Sequence, residues 1–382
     1  MLEFAALNTN HPLMIRLALK IIFLLAISCG SFAQPQQKNT NKAQSITVIA
    51  YYFGSAEQVD SFAAEKLTHI IFSFCHLKGN QLVVDKARDS LIIQKLVSLK
   101  SRNPQLKVLL SLGGWGGCET CSQVFSNEKG RTEFAQSVKD LTDYFHTDGI
   151  DLDWEYPAIS GYPGHRFVPE DKQNFTQLVI QLRKAIGKKH EISFAAGGFS
   201  TFLEQSIEWE KVMAVCDRVN LMTYDIINGF STVTGHHTPL YSTPQQKEST
   251  DNVIHYLDSI GVPREKLVIG AAFYARIFEN VGPENNGLYQ PGKFKRGIPF
   301  KAFPKMLSAD SGFVSYWDPV AKAPYMYNAA QKLFVTYDDT RSMQLKTAYA
   351  KEKKLNGIMF WQLAEDTFNN GLLDAIYNEK VK

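Results

Sequence analysis

Residues 148–157 read Asp-Gly-Ile-Asp-Leu-Asp-Trp-Glu-Tyr-Pro. In an extended strand, alternate side chains share a face. Asp151, Asp153 and Glu155 therefore point one way, and Ile150, Leu152 and Trp154 point the other. The run is the fourth of eight apolar, strand-like segments, at 46–53, 68–75, 107–112, 149–156, 191–196, 218–223, 266–273 and 357–362. All are rich in Val, Ile, Leu and Phe with little polar interruption, as parallel strands buried on both faces are. Helix-period segments lie between them. In 170–186, Phe175, Leu178, Val179, Leu182 and Ile186 recur at i, i+3, i+4 spacing, with Pro169 before and Gly187 after. The segment 251–260 reads the same way and stops at Gly261-Val262-Pro263. Eight strands alternating with helices predict an α/β fold, a (β/α)₈ TIM barrel. A doubly wound open sheet is the alternative, but no GxGxxG follows the first strand.

A barrel gives the two faces of 148–157 different fates. The apolar set packs against helices, and the acids line the interior. Three stacked carboxylates cannot all ionise cheaply, so at least one pKa must rise. Glu155, nearest the C-terminal end of the strand where barrel sites lie, is placed to meet a substrate as a general acid. A solvated edge strand and a divalent-metal site are the alternatives. The flanking Trp154 and Pro157 and the central position argue against the first. The lack of EF-hand spacing or a nearby His argues against the second.

The strand–helix rhythm breaks between Arg276 and the helix expected at 342–354. Gly, Pro, Tyr and Phe are frequent there, and a structureless loop of that length is improbable. The reading is a small α+β insertion over 277–340, after strand seven of a barrel spanning 46–382. Its strands are expected at 314–317, 323–328 and 333–337, above the C-terminal face.

Upstream, Arg16 and Lys20 precede an apolar core at 21–27, and Ser31-Phe32-Ala33 is a small-x-small cleavage pattern. Residues 1–33 read as a secretory signal peptide and 34–45 as a polar linker. The apolar run is too short for a membrane span. Residues 25–29 loosely resemble a lipobox, so lipid anchoring at Cys29 is a second reading. Export makes disulfides available. Cys118 and Cys121 could then form a small bridge or stay free thiols, both favoured over a metal site because no second CxxC exists. The chain has 41 basic and 38 acidic residues, a net +3, which gives no electrostatic case for nucleic acid. Aromatics make up 12%, enough to furnish a sugar-stacking surface somewhere.

The decapeptide resembles the DGxDxDWEYP signature of family 18 glycoside hydrolases, the chitinases, at all ten positions. Other segments are similar to family motifs. They are Ser111-Leu112-Gly113-Gly114-Trp115 on strand three, Met222-Thr223-Tyr224-Asp225 on strand six and Ile269–Arg276, with Tyr274, on strand seven. Ala50-Tyr51-Tyr52 resembles the first-strand GYY with Ala for Gly, and Trp361 falls where the family places a tryptophan floor. The resemblance implies a retaining, substrate-assisted glycosidase, in which the substrate's 2-acetamido oxygen replaces the enzyme nucleophile. It implies catalytic roles for Glu155 (acid), Asp153 (charge stabilisation and acetamido N–H), Asp151 (a proton shared with Asp153), Tyr224 (holding the acetamido group) and Asp225 (contact to the distorted sugar). Substrate binding is implied for Trp361, Trp115, Gly114, Met222, Tyr274 and Arg276. Tyr51 and Ser111 join that set, with hydrogen bonds to the inner acid.

Such chemistry needs N-acetylglucosamine at the cleaved bond. Chitin is the first expectation. Peptidoglycan or the core of N-glycans, cut by an endo-N-acetylglucosaminidase, is the alternative. A chitinase-like lectin is disfavoured by the intact acids. No metal or organic cofactor, no nucleic acid and a monomeric state are expected. No separate carbohydrate-binding module is read, so action on crystalline chitin should be weak. Trp115, Trp317, Phe230 and Tyr289 are the candidates for stacking along the cleft.

Overall fold

The computed structural model describes residues 46–84 and 86–382. The readings of a signal peptide, a linker and a lipid site at Cys29 fall outside the described residues. Among the described residues fourteen strands form: β1 Thr47–Tyr52, β2 His69–Lys78, β3 Gln81–Val83, β4 Lys107–Gly113, β5 Gly149–Asp153, β6 Glu191–Gly197, β7 Arg218–Met222, β8 Leu267–Ala272, β9 Tyr274–Glu279, β10 Lys293–Pro299, β11 Val314–Asp318, β12 Ala323–Asn328, β13 Leu333–Thr336 and β14 Gly357–Trp361.

Eight of them run parallel in the order β1-β14-β8-β7-β6-β5-β4-β2, and pairing of β1 with β2 closes the barrel. Helices between the strands complete a (β/α)₈ fold. The side-chain alternation divides its apolar mass into two layers. Ile150, Leu152 and Trp154 join the large core between strands and helices, where Trp154 packs 5.6 Å from Phe125 and 6.4 Å from Phe175 between ring centroids. A second cluster fills the lumen, including Ile49, Tyr51, Ile71, Leu109, Met222, Tyr224, Val268 and Met359. Each such side chain stabilises the fold by about 1.5–3 kcal/mol when fully buried.

The lower end of the barrel is closed by charge. Glu191, at the start of β6, meets His69 at 3.1 Å, Arg218 at 2.7 Å and Lys107, each from the first residue of its own strand. Burial alone would raise the Glu191 pKa, but these partners outweigh it and hold the carboxyl well below its usual range.

After β8, the chain leaves the barrel and builds a second, antiparallel sheet in the order β10-β9-β13-β12-β11. The three expected strands are β11, β12 and β13. Two more, β9 and β10, were not expected. β9 follows β8 after the single residue Phe273, so one apolar run conceals two strands in different sheets. β10 carries exposed Lys and Arg and shifts register between Phe294 and Arg296, which breaks its alternation. The chain returns to the barrel through the helix Thr340–Glu352, whose N-cap Asp339 exchanges hydrogen bonds with Ser342. Cys118 and Cys121 are joined in a disulfide, while Cys75 and Cys216 are buried free thiols.

Candidate active site

The site is assembled from strand register. Asp151 lies within β5, and its cross-strand neighbours are Ser111 on β4 and Ser193 on β6. All three are fully buried. Asp151 accepts hydrogen bonds from Ser193 Oγ at 2.6 Å, Tyr51 Oη at 2.9 Å, Asn220 Nδ2 at 3.0 Å and Ser111 Oγ at 3.4 Å. Burial nevertheless raises its pKa, because the donors offset only part of the desolvation. Tyr51 and Ser111 therefore serve the inner acid and are closed off from the open cleft.

Asp153 is the next inward residue and the last of β5. Its Oδ1 is buried and has no hydrogen-bond partner among the described residues. Burial, then the charges of Glu155 and Asp151, push its pKa well above the usual carboxylate range. The sequence reading carried the strand to Tyr156, but it ends at Asp153, where the carbonyl accepts the Gly114 N–H at 2.9 Å. Pairing with β6 stops one residue earlier, at Leu152. Glu155 thus stands beyond the strand, at the barrel mouth. Burial, helped by the Asp225 charge and opposed by a hydrogen bond from Tyr156, pushes its pKa up to about 7.

Two glycines make room for this corner. A Cβ on Gly113 would lie 2.1 Å from the Asp153 carbonyl oxygen. Gly114, at φ +77°, would place one 2.4 Å from the Phe74 ring. Neither position tolerates a side chain without moving the acids or the aromatic beside them.

The opposite wall comes from β7 and β9. Met222 ends β7, and Tyr224 follows with its hydroxyl 4.0 Å from the Met359 sulfur, a weak contact. Asp225 adopts φ +55°, an uncommon backbone for a non-glycine residue. Its two oxygens are gripped by Nε and a terminal nitrogen of Arg276. Burial alone would raise its pKa, but His237, 3.6 Å away, and Arg276 draw it below the carboxylate range. Tyr274 lies between, 6.4 Å from the Tyr224 ring.

Trp361 ends β14. Phe74 stacks on it at 5.6 Å with an interplanar angle of 13°, and Tyr51 and Phe53 approach within 6.0 and 6.3 Å. At the rim, Trp115 is 49% exposed and groups with Tyr162 at 5.5 Å and Phe230 at 6.2 Å. Of the four expected stackers only Trp115 and Phe230 meet. The Trp317 face is covered by the Arg341 guanidinium at 3.8 Å, and the Tyr289 hydroxyl bonds Thr243 at 2.8 Å.

The sequence model of the glycosyl hydrolases family 18 matches residues 48–366, nearly the whole barrel. The chain belongs to glycosyl hydrolase family 18. It is 36% identical over 299 residues to chitinase A1 of Niallia circulans, an alignment covering 72% of this chain and 42% of that protein. Chitinase B of Serratia marcescens is 28% identical over 86% of this chain and 83% of its own length. Among solved structures, a family 18 N-acetylglucosaminidase from Paenibacillus barengoltzii superposes with a TM-score of 0.79 at 36% identity, covering 87% of this chain and 99% of that one. The chain thus spans under half the length of one curated relative and most of another. No helix among the described residues is long and apolar enough to cross a membrane.

The family fold brings together residues that the sequence reading left out. Ser193 and Asn220 hydrogen-bond Asp151, Phe74 stacks on Trp361, and His237 faces Asp225. The first two carried a signal: each is a polar residue at an inward position of a strand that is otherwise apolar after its charged first residue. His237 carried none, since its contact exists only once the loop after β7 folds back.

Proposed function

We propose that this family member is an exported glycoside hydrolase that cleaves β-1,4 bonds of N-acetylglucosamine polymers, chitin first, with retention and with the substrate's acetamide as nucleophile. One observation carries the reading. An acid with a pKa near 7, Glu155, stands beside Asp153, whose buried oxygen has no partner. Glu155 holds its proton near neutrality and can donate it to the glycosidic oxygen as the bond breaks. Asp153 Oδ1 would accept the acetamido N–H. As the oxazolinium charge forms, Asp153 shifts toward the ionised state, and its negative charge opposes that positive one in a water-poor site. Asp151, already bonded to four donors, is left to share a proton with Asp153 and cannot attack carbon.

The rest of the wall fits the same substrate. Among the described residues the Tyr224 hydroxyl has only the Met359 sulfur as a hydrogen-bond partner, and it can hold the acetamido oxygen in line with the anomeric carbon. Asp225 and Arg276 offer an ionised, rigid pair for sugar hydroxyls, and Trp361 an apolar plane for the ring. Gly114, Met222 and Tyr274 shape the pocket, and Trp115 and Phe230 extend it along the polymer. Residues 1–33 support export. The chitinase relatives support chitin as substrate. The N-acetylglucosaminidase among the structural neighbours favours a second reading, release of single N-acetylglucosamine units from the same bonds. Time-resolved proton NMR of chitohexaose digestion tests the mechanism. β-Anomeric product should appear first and then mutarotate. Initial α-anomer would rule out retention.

A further inference from the structure

We infer that His237 is a positioning residue for Asp225, closing on its Oδ1 as an Nδ1–H donor opposite the Arg276 fork when a sugar engages that carboxylate. The inference rests on the site reading above and adds a residue that reading does not use.

The imidazole is fully buried, and neither ring nitrogen has a hydrogen-bond partner among the described residues. A neutral imidazole must place one N–H somewhere, and a buried donor left unpaired is costly. Its nearest carboxylate oxygen is Asp225 Oδ1, 3.6 Å from Nδ1. That is beyond hydrogen-bond range by a few tenths of an ångström. The ring plane is set by Tyr274, at 5.3 Å between centroids. The main chain is pinned on both sides: the His237 N–H donates to Thr336 Oγ1 at 2.9 Å, and its carbonyl accepts the Ile226 N–H at 3.1 Å. Ile226 directly follows Asp225. His237 therefore braces the left-handed turn that aims Asp225 while its ring faces the aimed group.

The surrounding charges fix the direction. Asp225 comes from the end of β7, Arg276 and Tyr274 from β9, and Asp338 from beyond β13. Asp338 is already paired with Lys346 at 2.7 Å and with Ser342. Burial lowers the His237 pKa against the pull of Asp225, so the ring is neutral and donates one proton. Arg276 Nε holds Oδ1 and a terminal nitrogen holds Oδ2, and the His237 ring faces the same Oδ1. When a sugar hydroxyl competes for the fork, closure of His237 keeps Asp225 ionised and aimed. Without that donor, burial is less opposed, the Asp225 pKa rises, and activity on the acid side is lost at higher pH.

The test compares wild type, His237→Leu and His237→Asn on a fluorogenic chitobioside, with kcat/KM measured across pH and thermal unfolding in parallel. Asn places an amide N–H where Nδ1–H stands. The Leu protein should lose about tenfold or more in kcat/KM and shift its acid limb up by about half a pH unit or more, while Asn returns to within about threefold of wild type. A folded Leu protein with the wild-type profile overturns the inference. So does a loss equal at every pH that Asn does not rescue, which is a purely structural role. If the Leu protein does not fold, nitrogen-15 NMR of the wild-type imidazole decides: the Nδ1–H tautomer supports the inference and Nε2–H overturns it. If wild type hydrolyses nothing, the proposed function fails by itself, and the tautomer still decides on His237.

Discussion

Asp153 is the residue on which the proposed chemistry turns. It sits between two carboxylates, is buried, and keeps one oxygen unpaired. An ionised side chain in that setting is unfavourable in the free protein, and in the proposed reaction it gains its partner from substrate. Asp153→Asn keeps the size and removes the charge. Turnover on chito-oligosaccharides should fall by about 10²-fold or more while their binding changes by less than about threefold, as steady-state kinetics and calorimetry would read. Equal losses in both would place Asp153 in ground-state binding and remove its charge-stabilising role. Much of this was legible in ten residues, because a strand's two-residue period sorts side chains by face without reference to the rest of the chain. The orphaned oxygen was not, because hydrogen-bond satisfaction is settled by β4, β6 and β7 together.

At the scale of elements, the insertion is held to the barrel by a small buried ionic network. Lys346, from the helix Thr340–Glu352, and Asp338 are both inaccessible and lie 2.7 Å apart. Asp338 also accepts from Ser342 Oγ at 2.7 Å, the Ala272 N–H at 3.1 Å and Thr238 Oγ1 at 3.0 Å. One carboxylate thus joins the end of β8, the end of β13, the loop after β7 and the return helix. The same loop reaches the insertion again through His236, 3.0 Å from Asp318. Removing Lys346 leaves the charge buried. Lys346→Ala should cost about 3–5 kcal/mol in chemical denaturation, and a loss under about 1 kcal/mol would mean the network relaxes freely. This joint was invisible beforehand. Lys346 reads as a solvated helix lysine, and only the packing of four distant segments buries it. The three hairpin strands β11, β12 and β13 were legible from their aromatic runs and turns. β9 was hidden in the apolar tail of β8, and β10 by its charged residues and its bulge.

The whole molecule divides its polar groups between two ends of one barrel. At the bottom, the Glu191 carboxylate gathers His69, Lys107 and Arg218 around itself across the end of the lumen. At the top, Asp151, Asp153 and Glu155 are held with raised pKa values, near the aromatic side chains of Trp361 and Phe74. The first arrangement stabilises the fold, and the second is tolerated at its expense, as in barrel enzymes generally. The alternation of eight apolar runs foretold the barrel because buried parallel strands leave a continuous hydrophobic signature. Which polar residues end at which pole follows from register, and register is a property of the closed sheet. In the proposed reaction Glu155 delivers the proton. The most direct measurement is kcat/KM on a fluorogenic chitobioside from pH 4 to 9, for wild type beside Glu155→Gln. The Glu155 carboxyl must be protonated to act, so wild-type activity should fall as pH rises through about 7, with the Gln protein lower throughout by about 10³-fold. Wild-type turnover no greater than that of Glu155→Gln at every pH would contradict the account.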